Sequence, residues 1–149
     1  MNRHSPTDLK IAGIKANLYG YQVAWLVNQS FDMQLTMNED WIIGEDSTEK
    51  SEHLHFFQEF EDVELKWYLV QNRGSAGVLY QSKPLFDYFL ICFGEDIYGY
   101  FERAVSAIID AGKIDGIFPL SFSLIKTQEN FLTNMNVKNN KKYIESPHV

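Results

Sequence analysis

The stretch that most constrains this chain is Asp87-Tyr88-Phe89-Leu90-Ile91-Cys92-Phe93. It is too short for a helix of its own and apolar on both alternating faces. A strand that is apolar on both faces belongs in the centre of its sheet. Gly94-Glu95-Asp96 follows, and then Ile97, Phe101, Val105 and Ile108 recur every three to four residues. That spacing predicts a helix with Asp96 as its N-cap and Gly112 as its stop.

A central strand needs neighbours, and the chain supplies them on both sides. Leu9, Ile11 and Gly13 alternate with Lys10, Ala12 and Ile14, which predicts a short strand; one continuous helix from Asp8 is the competing reading. From Tyr19, residues Val23, Ala24, Leu26 and Val27 suit a helix that closes near Asn28–Ser30. Residues 53–60 alternate, with Leu54, Phe56, Gln58 and Phe60 on one side, and 65–70 alternate again after a turn at Glu61–Glu64. Asn72-Arg73-Gly74-Ser75 is a strong turn signal. Val78-Leu79-Tyr80 reads as a short strand that Pro84 ends. Near the C-terminus, Phe118, Leu120, Phe122 and Leu124 alternate with Pro119, Ser121 and Ser123. Proline inside a strand marks an edge. The expected order is β-α-β-β-β-β-α-β. The expected fold is α+β: a largely antiparallel sheet of five to six strands with two helices packed on one face.

At 149 residues with 45% hydrophobic and 15% aromatic content, the chain has the size of one domain and material for a real core. The reading is a polar tail at 1–7, a single domain at 8–132 and an Asn/Lys-rich disordered tail at 133–149. Within the domain, 36–52 carries Glu39, Asp40, Glu45, Asp46, Glu49 and Glu52 against Lys50 alone, and reads as a long acidic exposed loop anchored by Trp41. The net charge of −7 argues against a nucleic-acid backbone or an anionic membrane as partner. Cys92 is the one cysteine, so no disulfide forms within the chain, and a reducing, cytoplasmic compartment is expected. The first residues have no apolar core of the kind a signal peptide needs.

Around the opening stretch the chain resembles a family of short bacterial proteins named for an I-P-E-x-x-x-V-D-Y signature. The resemblance is carried by Asp87-Tyr88 before an apolar strand, the Asn72-Arg73-Gly74-Ser75 turn, Ile11, Gly13 and Ile14, and Gly20-Tyr21-Gln22-Val23-Ala24-Trp25 with Asn28 at the helix end. It covers most of residues 8–132. Tyr80-Gln81-Ser82 stands where the family has I-P-E, and Phe86 where it has V. The resemblance implies a compact bacterial domain and transfers no catalytic residue.

The residues that could carry chemistry are few. His53 and His55 share a strand face, with Glu59 further along it; imidazoles plus a carboxylate are a metal-ligand set, and a solvated sheet face is the plain alternative. Cys92 inside an apolar strand reads as a core thiol. Gly94-Glu95-Asp96 has one glycine and two carboxylates, which suits helix capping and repels phosphate. The carboxylate pairs Glu39/Asp40, Glu45/Asp46, Glu59/Glu61 and Glu61/Asp62 would serve acid–base chemistry only if one partner were buried. Trp41 in the acidic loop and Pro119 on the edge strand are candidate interaction residues. Two functional expectations follow. The first is a non-enzymatic protein-interaction module, as a homodimer or with a protein partner, and with no cofactor. The second is a small enzyme or metal-binding protein whose site draws on His53, His55, Glu59 and Tyr88.

Overall fold

A computed structural model describes residues 9–38, 51–81 and 85–120, and the backbone of 41–43. Its centre is a six-stranded antiparallel sheet in the order β2-β5-β6-β7-β1-β8, comprising β1 (Leu9–Lys15), β2 (Thr36–Met37), β5 (His55–Phe60), β6 (Leu65–Gln71), β7 (Tyr88–Phe93) and β8 (Gly116–Leu120). Two further strands, β3 (Trp41–Ile43) and β4 (Ser51–His53), form a separate antiparallel pair. Helix α1 (Gly20–Phe31) joins β1 to β2, and α2 (Tyr100–Ala111) joins β7 to β8. Since β7 and β8 both pair antiparallel to β1, they run parallel to each other with β1 between them.

The double-sided apolar character of β7 has the expected consequence. It pairs with β6 on one side and β1 on the other, placing Leu69 opposite Leu90 and Ile11 opposite Ile91. On one face, Ala12, Ile14, Trp67, Leu69, Leu90 and Cys92 pack against Val23, Ala24 and Val27 of α1 and Phe101, Ala104, Val105 and Ile108 of α2. On the other, Ile11, Tyr68, Val70, Phe89 and Ile91 lie beneath Leu79, Tyr80 and Phe86. Phe89, Leu90 and Ile91 are fully buried, each worth about 1.5–3 kcal/mol of removal from water. Gly13 lets the second layer close: a Cβ there would stand 2.6–2.7 Å from the Phe86 ring. Among the described residues, no helix is long and apolar enough to cross a membrane.

Several local expectations change. Residues 9–15 are strand, so the continuous helix from Asp8 is not formed. Residues 78–80 form no strand. Val78 makes one bridge to Arg73, while Leu79 and Tyr80 serve as a lid on the sheet; the sixth strand is Thr36–Met37 instead. The stretch 36–52 contains β2, β3 and β4, with Ser51 buried, and is not one exposed loop; residues 39–40 and 44–50 lie outside the described set. Asp96 does cap α2, but from four residues upstream of its start. Its Oδ1 and Oδ2 accept from the N–H groups of Tyr100 and Phe101, each at 2.8 Å. The helix thus begins later than the spacing suggests, which leaves Ile97 in the preceding turn and exposed. Gly112 ends α2 at φ 67° as expected. β8 is an edge strand, and Pro119 on it is exposed; Phe122 and Leu124 lie outside the described residues, as do the tails at 1–7 and 133–149.

Candidate functional site

The residues that look most like a signature turn out to hold backbone. Asn72 is fully buried at the end of β6. Its Nδ2 donates to Tyr80 O at 3.1 Å and Phe86 O at 2.8 Å, and its Oδ1 accepts from Tyr80 N at 3.0 Å. Asp87 Oδ2 accepts from Ala16 N at 2.9 Å, and Tyr88 Oη donates to Leu18 O at 2.6 Å. Both therefore fix the turn between β1 and α1. Burial, with the Asp87 carboxylate second, pushes the Tyr88 phenol above its usual pKa. Asn28 holds both backbone groups of Leu35, through Nδ2 to its O and Oδ1 from its N.

The histidines are not on a solvated face, nor do they meet at a metal site. The strand breaks at Leu54, so His53 ends β4 in the small sheet while His55 opens β5 in the large one. Both are buried. His53 Nδ1 lies 3.0 Å from Gln71 O, and since a carbonyl only accepts, Nδ1 carries the proton; Nε2 faces Ser51 Oγ at 3.0 Å. Ser51 Oγ also accepts from Ala76 N at 3.1 Å. Gly74 makes room for this pair, since a Cβ there would be 2.5 Å from His53 and Ser51 atoms. The Asn72–Ser75 turn is thus the socket on which β4 docks. His55 stacks on Tyr68 with centroids 5.7 Å apart. Glu59 is exposed opposite Lys66, and Tyr88 belongs to the core on the other face of the sheet. The structure therefore does not bring His53, His55, Glu59 and Tyr88 together. Among the described residues no group of three or more His, Cys, Asp or Glu is placed to hold a metal ion. Cys92 is buried and free, and burial first, then the Asp96 charge, drives its thiol pKa far up against a smaller opposing pull from Lys10. The side chain of Trp41 lies outside the described residues.

The feature that stands open is a groove of about 780 Å³ between the C-terminal end of α1, the turn from β5 to β6 and the first turns of α2. Its apolar wall is aromatic. Phe31 and Tyr100 meet edge-on at 6.2 Å, and Phe60 meets Tyr100 edge-on at 5.7 Å. Behind them Trp67 packs against Phe31 at 6.5 Å and Phe60 at 5.5 Å, which fixes the wall to the core. Arg103 lays its guanidinium over Tyr100 and Phe31, 5.3 and 5.8 Å from their centroids. The rim carries Asp32, Glu59, Glu61 and Asp62; four carboxylates against one guanidinium leave it at −3. These carboxylates are exposed, unlike the buried member that acid–base chemistry requires. Among the described residues the non-glycine positions with positive φ are Asp32 (53°) and Glu64 (55°), one in the groove and one at the end of its turn.

Of the groove's key residues, the pairs Glu59/Glu61 and Glu61/Asp62 stand out in the sequence, whereas Tyr100 and Arg103 lie beside the helical stripe through Phe101 and Val105. That Phe31 joins them is not legible there, because it depends on how α1 crosses the sheet. A second, smaller concavity of about 370 Å³ lies between α2 and the β1–β8 edge, lined by Leu9, Ile11, Val105, Ile109 and Pro119 among others. No family model, curated protein or solved structure matches the chain.

Proposed function

We propose that the protein is a binding module whose groove takes a cationic segment of a partner protein. The carrying observation is Arg103 lying over Phe31 and Tyr100 inside a rim of net −3. The wall already holds one guanidinium, and the surrounding carboxylates favour another. A cation over such a ring is worth about 0.5–1 kcal/mol where water has access, and a like-signed rim adds steering toward basic partners. The two left-handed residues beside the groove support the same reading, because backbone strain is concentrated where surfaces are put to use. A cytoplasmic location and kinship with the resembling bacterial family belong to the same proposal. The first is supported by the single, free cysteine and the second by the Asn72 and Asp87-Tyr88 segments.

The test is titration of a hexa-arginine peptide followed by calorimetry. Binding should weaken as salt rises and fall at least about tenfold in a Glu61→Lys, Asp62→Lys double variant. The same charge change at Glu102 and Asp110, on α2 outside the groove, should leave most of it. Equal losses in the two double variants would mean that only net charge matters, and the groove reading would be abandoned.

A further inference from the structure

Helix α1 departs from the pattern of a surface helix. Its inner face buries Val23, Ala24 and Val27. Its outer face should be charged, yet it shows Tyr21 and Trp25, 62% and 61% exposed, with Tyr19 just ahead at 71%. The Tyr19 and Tyr21 rings stack with centroids 6.0 Å apart and planes 9° from parallel. Residues 16–31 contain no Asp, Glu, Lys or Arg, the longest such run in a chain with 20 acidic and 13 basic residues. A helix apolar on both sides is suited to burial on both sides.

We propose that the outer face of α1 is the contact between two copies of this chain. Charge selects this occupant. Each copy carries −7, so two copies repel through most approaches, and this helix sets no carboxylate against its counterpart. A basic partner finds no counter-charge there, in contrast to the groove at the end of the same helix. The spacing also closes on itself. Tyr21 and Trp25 are four residues apart, roughly 6 Å along the axis. Two antiparallel α1 helices related by a twofold level with Val23 put each Tyr21 opposite the other copy's Trp25, the reciprocal pairing of an isologous interface. Three rings exposing about two-thirds of ~200 Å² each offer about 400 Å² per copy, half of the ~800 Å² typical of a stable partner. Gln22 and Gln29 extend the patch as a polar rim, so the dimer is a weak, concentration-dependent one. The edge strand is a poorer contact, because Pro119 removes a donor from β8.

Sedimentation velocity on the full chain from about 1 to 200 µM tests this. The wild type should move from monomer to dimer as concentration rises. Trp25→Glu should keep the melting temperature and weaken dimerisation about thirtyfold, and Tyr21→Glu should do the same. If Trp25→Glu disturbs folding, Tyr19→Ser outside the helix supplies the reading, with a smaller loss expected. A wild type that stays monomeric throughout overturns the proposal, as do variants that dimerise like the wild type. A monomer that co-sediments with neutral phosphatidylcholine vesicles through Trp25 also overturns it, and gives the face to a lipid surface.

Discussion

The Asn72 knot and the Arg103 groove are built from the same kinds of residue with opposite results. In the knot, Asn72, Asp87 and Tyr88 bond backbone N–H and C=O groups, and His53 ties Gln71 O to the Ser51 hydroxyl. In the groove, Asp32, Glu59, Glu61 and Asp62 stand in water around an aromatic wall. The knot carries the more signature-like residues, and it is architecture. What separates the two is satisfaction: a polar side chain whose hydrogen bonds are consumed by its own chain has little left to offer a ligand.

The comparison is broken most directly at Asn72. Asn72→Ala removes three side-chain hydrogen bonds and leaves the Tyr80 N–H and two carbonyls buried without that partner. Chemical denaturation should show a loss of about 3 kcal/mol. Asn72→Asp keeps the shape but turns an oxygen toward the Tyr80 and Phe86 carbonyls, and should lose at least as much at neutral pH. A loss below about 1 kcal/mol would show that these three bonds are not what holds the fold at this corner.

How far the sequence reveals this depends on the range of the signal. The period-2 run at 88–93 and the helical stripe through Phe101, Val105 and Ile108 are local, and they determine the central strand, the second helix and the α+β class. The role of Asn72 is not local: its partners lie 8 and 14 residues away, and those of Tyr88 and Asp87 are 70 and 71 away. The pairing of His53 with His55 fails for a related reason. Alternation implies a shared face only while the strand continues, and it stops at Leu54. Phe31 enters the groove only because α1 crosses back over the sheet.

Tyr88→Phe is the next smaller break, at about 1 kcal/mol for the lost bond to Leu18 O, and it has a pH signature. The folded phenol holds its proton above the ordinary value near 10, because burial and Asp87 disfavour the anion. Above that pH the unfolded chain releases the proton and the folded one keeps it. The contribution is thus complete below about pH 10 and is lost as pH rises toward the folded value. Denaturation midpoints measured between pH 8 and 11 should fall more steeply for the wild type than for Tyr88→Phe. Parallel curves would show that Tyr88 is not held neutral by its setting.

On the groove side the effects on stability shrink and can change sign. Glu64 sits at φ 55° in the turn below the rim, a conformation that costs an L-residue about 1–2 kcal/mol. Glu64→Gly relieves that strain against the greater entropy of the unfolded glycine, and should gain about 0.5 kcal/mol. A net loss would mean that the Glu64 side chain, not its backbone, is what the turn requires.

Arg103→Ala should also have only a small effect on stability, and it is the sharpest test of the contrast. Arg103 is exposed and covers Phe31 and Tyr100 from the solvent side. Its removal should cost no more than about 0.5–1 kcal/mol, well below Asn72→Ala. The same change uncovers the aromatic wall and takes the rim from −3 to −4. If Arg103 occupies the place of a partner's guanidinium, hexa-arginine should bind the variant several-fold more tightly than the wild type. If Arg103 is instead a structural clamp across Phe31 and Tyr100, the wall loosens when it is cut, and binding should weaken together with stability. The two outcomes have opposite signs in one titration, so the groove is either a site occupied by its own arginine or a second knot built with charge.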